Sequence, residues 1–126
     1  MKLKELTKAE EEVMQVLWDL QRAFVKDVIE HMPADGKKGK PAYNTVSTIV
    51  RILQDKGMVE HHAIGKSHRY FPLITKEEYS KFKMEKLMTG YFDGSFSQMV
   101  SFFVNKKKLD TSELDAILKL IEDKKK

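Results

Sequence analysis

Asn44, Ser47, Thr48 and Arg51 recur at the i, i+3, i+4, i+7 spacing of one helical face. Short polar side chains beside one guanidinium are groups that reach base edges in a DNA groove, and arginine makes the commonest specific contact, a bidentate pair with guanine. Tyr43 and Thr45 flank that face, and Lys37, Lys38, Lys40, Lys66 and Arg69 lie to either side of it in the chain, where they are candidates for phosphate contact. The charge distribution agrees. The whole chain has 23 basic and 19 acidic residues, a net +4. Between Gly36 and Arg69 seven basic residues meet two acidic ones, a local +5, so the remainder (16 basic, 17 acidic) is at −1. A basic segment inside a near-neutral protein is what phosphate binding produces. A solvated lysine-rich loop has the same composition, and any soluble amphipathic helix turns a polar face outward, so these residues alone leave both readings open.

Other chemistries find less support. With no cysteine, the chain has no disulfide framework, thiol nucleophile or thiolate metal site. His61, His62 and His68 fall close together on the hairpin, but no cysteine or carboxylate completes a ligand spacing, so they read as strand-surface or phosphate-neighbouring histidines and no metal or cofactor is expected. No Gly-rich phosphate loop follows a strand pattern, no nucleophile-elbow sequence occurs, and the acidic residues fall mainly in helix caps and on solvent faces. An enzyme is not expected. No apolar run approaches the roughly 20 residues that span a bilayer, and Met1-Lys2-Leu3-Lys4-Glu5 leads directly into a charged helix. The expectation is a cytoplasmic protein with no direct membrane association.

The elements that must position the polar face are legible in order. Thr7-Lys8-Ala9-Glu10 has the form of a capping box, and Ala9, Val13, Val16, Leu17 and Leu20, flanked by Trp18, predict a helix ending near Leu20. Val25, Val28, Ile29 and Met32 predict a shorter helix over 26–32, ended by Pro33, and residues 34–41 read as an exposed loop. A third helix starts at Asn44, carries Val46, Ile49, Val50 and Leu53 inward, and stops at Gly57. Residues 58–64 and 68–73 read as strands around Gly65-Lys66-Ser67, a hairpin with a basic tip. Three helices and a hairpin are the parts of a winged helix-turn-helix, whose third helix enters the major groove while the hairpin tip meets the backbone.

Thr75-Lys76-Glu77-Glu78 opens a fourth helix with Tyr79, Phe82, Met84 and Leu87 that is expected to end near Gly90. Two short amphipathic helices follow, over 95–105 and from Asp110 onward. Their apolar residues, Phe92, Phe96, Met99, Val100, Phe102, Phe103, Leu109, Leu114, Ile117, Leu118 and Ile121, are too many for two short helices to hide alone. Phe92, Phe96, Met99, Val100, Phe103, Leu114, Ile117, Leu118 and Ile121 are accordingly expected to bury against a second copy. The fold class expected is mostly α with a small β-hairpin: a winged helix-turn-helix domain over 1–74 and a helical dimerisation domain over 75–126. A winged helix can instead serve as a protein-protein interaction module without specific DNA binding, and the +5 basic segment is what separates the two.

Leu6-Thr7-Lys8-Ala9-Glu10 through Val16-Leu17-Trp18, then Asn44-Thr45-Val46-Ser47-Thr48-Ile49, Leu53, Lys56-Gly57, and Gly65-Lys66 through Tyr70-Phe71-Pro72 resemble the penicillinase and methicillin-resistance repressor family of bacteria. The similarity continues through Glu77-Glu78-Tyr79, Gly94-Ser95-Phe96 and the last helix with Leu114 and Leu118. It implies a winged-helix DNA reader, a helical dimerisation domain, repression at inverted-repeat operators, and a membrane sensor protease as a further partner. There are departures. Lys66 stands where the family commonly has arginine after the wing glycine, and Ile52 where it has a recognition-helix arginine. The family's antibiotic-responsive members are inactivated at an Asn-Phe bond that corresponds to Phe102-Phe103, and its copper-responsive members use C-terminal cysteines that this chain lacks.

Overall fold

A computed structural model describes residues 3–34, 36–106 and 110–124, with the side chains of Lys38 and of residues 121–124 outside that description. The assignments made above to Lys38, Leu109 and Ile121 therefore lie outside the described residues. The chain divides into two compact units, one ending at Lys83 and one beginning at Met84.

In the first unit, α1 (Lys8–Leu20), α2 (Val25–His31) and α3 (Tyr43–Asp55) are followed by β1 (Val59–Ile64), β2 (Ser67–Pro72) and the start of α4 (Lys76–Tyr91). The Thr7 hydroxyl accepts from the Glu10 amide at 3.2 Å while the Glu10 carboxylate accepts from the Thr7 amide at 3.0 Å, the reciprocal pair that satisfies two unpaired donors at a helix start. Val13, Met14, Val16, Leu17 and Trp18 are buried. Ala9 is exposed, a departure from the expected stripe, because the first turn projects beyond the core and Glu10 takes the inward position. Val46, Val50 and Leu53 anchor α3 in the same core. That helix ends in a Schellman motif: Gly57, at φ 78, donates to the Gln54 carbonyl at 3.0 Å and Met58 donates to the Leu53 carbonyl at 2.9 Å.

Glu10 is buried, and Lys56 at the end of α3 donates to its carboxylate at 2.6 Å. Burial by itself pushes this carboxyl's pKa up, but the hydrogen bonds from Lys56 and Thr7 and the ammonium charge together outweigh it, and the net shift is downward. A depressed pKa means that the ionised group stabilises the fold above the usual carboxylate range and that this contribution is lost as pH falls through the folded-state pKa. Glu10→Gln is therefore expected to lose about 1–2 kcal/mol of stability at neutral pH. Urea melts at several pH values check this: the gap from wild type closes in acid, and equal stability at neutral pH would show that the pair contributes nothing.

The hairpin is antiparallel, with Ile64 opposite Ser67 and Val59 opposite Pro72. Gly65 at φ 61 occupies the first central position of a two-residue turn and Lys66 the second, which is the type II′ pattern. A bridge that the sequence does not announce completes the wing: Ala23 and Tyr70 exchange backbone hydrogen bonds of 2.9 and 2.7 Å, so the α1–α2 connection acts as a short third strand. Tyr79 of α4 belongs to this core. Its hydroxyl accepts from the Leu6 amide at 3.0 Å and donates to Glu11 at 3.1 Å.

In the second unit, α4 runs one residue past Gly90, and Asp93 (φ 51) and Gly94 (φ 74) carry the left-handed backbone that closes it. Ser95 caps α5 (Phe96–Asn105), and the Asp110 carboxylate accepts from the Glu113 amide at 2.9 Å to start α6 (Thr111–Lys124). Among the described side chains here only Met99 is buried; Phe92, Val100, Leu114 and Ile117 are half-buried, and Phe96, Phe103 and Leu118 are exposed. No helix among the described residues is long and apolar enough to cross a membrane.

Candidate nucleic-acid interface

With Val46, Val50 and Leu53 turned into the core, the opposite side of α3 presents Asn44, Thr48 and Arg51 to solvent, with Ser47 half-buried beside them. The Thr48 hydroxyl donates to the Asn44 carbonyl at 2.9 Å, which leaves its oxygen as an acceptor. Arg51 rests its Nε on the Ser47 carbonyl at 3.4 Å, and its terminal nitrogens remain the donors for a partner. Tyr43 and Thr45 are exposed in the first turn.

The wing folds against this end of α3. Tyr43 and Ser47 share with Lys66 a cleft of about 310 Å³ that is also lined by Phe24, Val25, Lys26, Ser67, His68 and Tyr70. Tyr70 is buried at its base; that burial raises its phenol pKa, while the nearby positive charge of Arg51 pulls it down. Residues of α3 that are consecutive on one face and the tip of the hairpin thus meet at one surface.

The other expected phosphate contacts are not gathered there. Strand alternation places Arg69 on the opposite face of the hairpin from His68 and Tyr70, and its Nε is buried without a hydrogen-bond partner. Lys40 donates to the Glu30 carbonyl and lines a separate hollow with Lys8 and Glu12. Lys37 is exposed on the short 3-10 turn Gly36–Lys38. Lys56, counted in the +5 segment, is neutralised by Glu10.

One charged residue of the cleft, Lys26, escapes sequence reasoning. Lys26 has no sequence signal, because its place depends on how α2 packs on the wing. His68 stacks on His61 with ring centroids 4.1 Å apart, and His62 lies on Phe71 at 4.8 Å. Among the described residues no group of three or more histidine, aspartate or glutamate side chains is placed to hold a metal ion.

Comparison with known proteins gives the site its context. The family model described as penicillinase repressor matches residues 6–123. The chain belongs to the penicillinase repressor family. This penicillinase repressor family member is 26% identical over 124 residues to the penicillinase repressor of Bacillus licheniformis, which covers 98% of this chain and 94% of that one. It is 24% identical over 120 residues to the methicillin resistance regulatory protein MecI of Staphylococcus aureus (strain N315), covering 95% of each. Among solved structures, the DNA-binding domain of the repressor BlaI aligns at 28% identity with a TM-score of 0.51, over 62% of this chain and 92% of that one. The penicillinase repressor family is one of winged-helix DNA-binding repressors of transcription and not of enzymes, and the mostly helical fold with one antiparallel hairpin agrees with it.

Proposed function

We propose that this member of the family acts in the cytoplasm as a homodimeric repressor of transcription that reads an inverted-repeat DNA operator. The observation that carries the reading is the meeting of Tyr43 and Ser47 of α3 with Lys66 of the wing at one cleft. With α3 in the major groove, Asn44, Ser47, Thr48 and Arg51 read base edges, and Tyr43, Thr45 and Lys66, with the exposed Lys37, face phosphates. The operator is held by residues 1–74, and residues 75–126 pair the two copies. Two-fold symmetry in the protein then requires two-fold symmetry in the site.

Selection of bound fragments from a random DNA pool tests this, with a palindromic site the expected product. No enrichment, together with an affinity that does not change with salt, would instead favour a winged helix that binds protein. Base and backbone roles separate by mutation. Arg51→Ala is expected to cost about 1–3 kcal/mol at one operator position and to relax base preference there. Lys66→Ala weakens binding to every sequence and makes the salt slope shallower by about one. Equal losses on specific and random DNA for both variants would remove base reading from α3.

A further inference from the structure

We propose that the cleft between α3 and the wing holds one backbone phosphodiester, with Lys26 and His68 as contacts beside Lys66 and Ser67, and that His68 makes DNA binding proton-linked. This rests on the DNA-reading function above. Lys26, Lys66, Ser67 and His68 all line this cleft, and no carboxylate residue lines it. Donors without acidic neighbours select an anion, whereas pockets for small organic ligands are walled mainly by apolar side chains. Two lysines elsewhere are matched, Lys56 with Glu10 and Lys83 with Glu5 and Glu11. Among the described residues neither Lys26 nor Lys66 is paired with a carboxylate. Lys26 comes from α2 and Lys66 from the hairpin tip, so a phosphate between them ties two elements to one strand of the duplex.

His68 adds a switchable charge. Its ring stacks on His61 of β1 and meets Tyr70 of β2 edge-on at 6.3 Å; the cleft adds Lys26 of α2, Tyr43 of α3 and Lys66 of the turn. The Glu60 carboxylate lies by His61, 3.7 Å from its Nδ1. Gln54 donates its amide to Glu60 at 2.9 Å, which leaves its oxygen to accept from the His61 Nδ1 at 2.9 Å. A phosphate beside an imidazole favours the protonated form, and histidine is the side chain that changes charge near neutrality. Binding then takes up a proton at His68, and affinity rises as pH falls through that range.

Because a phosphate contact is independent of sequence, the probe is a fluorescein-labelled duplex of random sequence, titrated with full-length protein by anisotropy at several salt concentrations and at pH 6 and pH 8. Lys26→Gln is expected to weaken binding and to make the log–log salt slope shallower by about 0.9. Wild type is expected to bind roughly two- to fivefold more tightly at pH 6 than at pH 8. His68→Gln and His68→Phe both lose that gain, and the second keeps a ring on His61. An unchanged affinity and slope in Lys26→Gln overturns the phosphate site. A pH dependence that survives in both His68 variants overturns the proton linkage. Either result leaves base reading by Arg51 standing, whereas a wild type that binds neither this duplex nor any selected site overturns both.

Discussion

Truncation after Thr89 leaves a folded, monomeric winged helix whose operator affinity is lower by about 10²- to 10⁴-fold, the range that linkage of two binding modules supplies. Folding survives because the core of the first unit, from Leu6 through Val13, Leu17, Val50 and Met58 to Tyr70 and Tyr79, is contributed entirely by residues before the cut. The cut is placed beyond Tyr79 because that phenol closes the N-terminus onto α4, and because Trp18 donates to the Ile74 carbonyl at 2.8 Å at the entry to that helix. Association is lost because the apolar surface that has no cover within the second unit goes with it. Phe96, Phe103 and Leu118 are 43%, 37% and 50% exposed, and covering such side chains contributes ~25 cal/mol per Å². Sedimentation of both chains and titration of the selected operator check the two halves of this expectation. A full-length chain that stays monomeric at micromolar concentration, or a truncated one that binds as tightly, would remove the dimer from the mechanism.

Local rules are what the sequence displays best. Both threonine capping boxes were readable, since each is complete within four residues: Thr7 with Glu10, and Thr75 with Glu78. Gly57 and Gly65 were readable because a left-handed backbone at a helix end or hairpin tip selects glycine. The misses are contacts between distant residues. Nothing in the spacing of Glu10 and Lys56 announces an ion pair across 46 positions, so a lysine counted toward DNA is spent inside the fold. Arg69 shares the wing's charge but not its face, a distinction set by strand register and invisible in a charge count. Ala23 reaches Tyr70 through a single bridge, which has no periodicity to detect. Gly90 invites reading as a helix end, but the left-handed backbone falls at Asp93 and Gly94 instead, so α4 continues to Tyr91.

The second large effect concerns release from DNA. The family resemblance implies a membrane sensor protease that cuts at an Asn-Phe bond, and the corresponding bond here joins Phe102 to Phe103. This bond lies inside α5, where the Phe102 carbonyl accepts from the Lys106 amide at 3.1 Å and the Phe102 ring meets Phe92 and Phe103 edge-on at 5.7 Å each. Cleavage there divides the helix and scatters its apolar face, so the loss of avidity described for truncation follows. Recognition is the obstacle. A protease pocket that hydrogen-bonds an asparagine amide leaves buried polar groups unpaired when it receives a phenyl ring, a mismatch worth ~10⁴-fold or more in discrimination. The chain is therefore expected to resist a sensor protease of Asn-Phe specificity, and Phe102→Asn is expected to make it a substrate. That substitution also removes two ring contacts, which eases the local opening any protease needs. Co-expression of each form with such a sensor under induction, followed by blotting for fragments, measures both expectations. Efficient cutting of the wild type between Phe102 and Phe103 would show that the asparagine is immaterial. Equal resistance in Phe102→Asn would move the obstacle from the cleaved bond to some other part of the encounter.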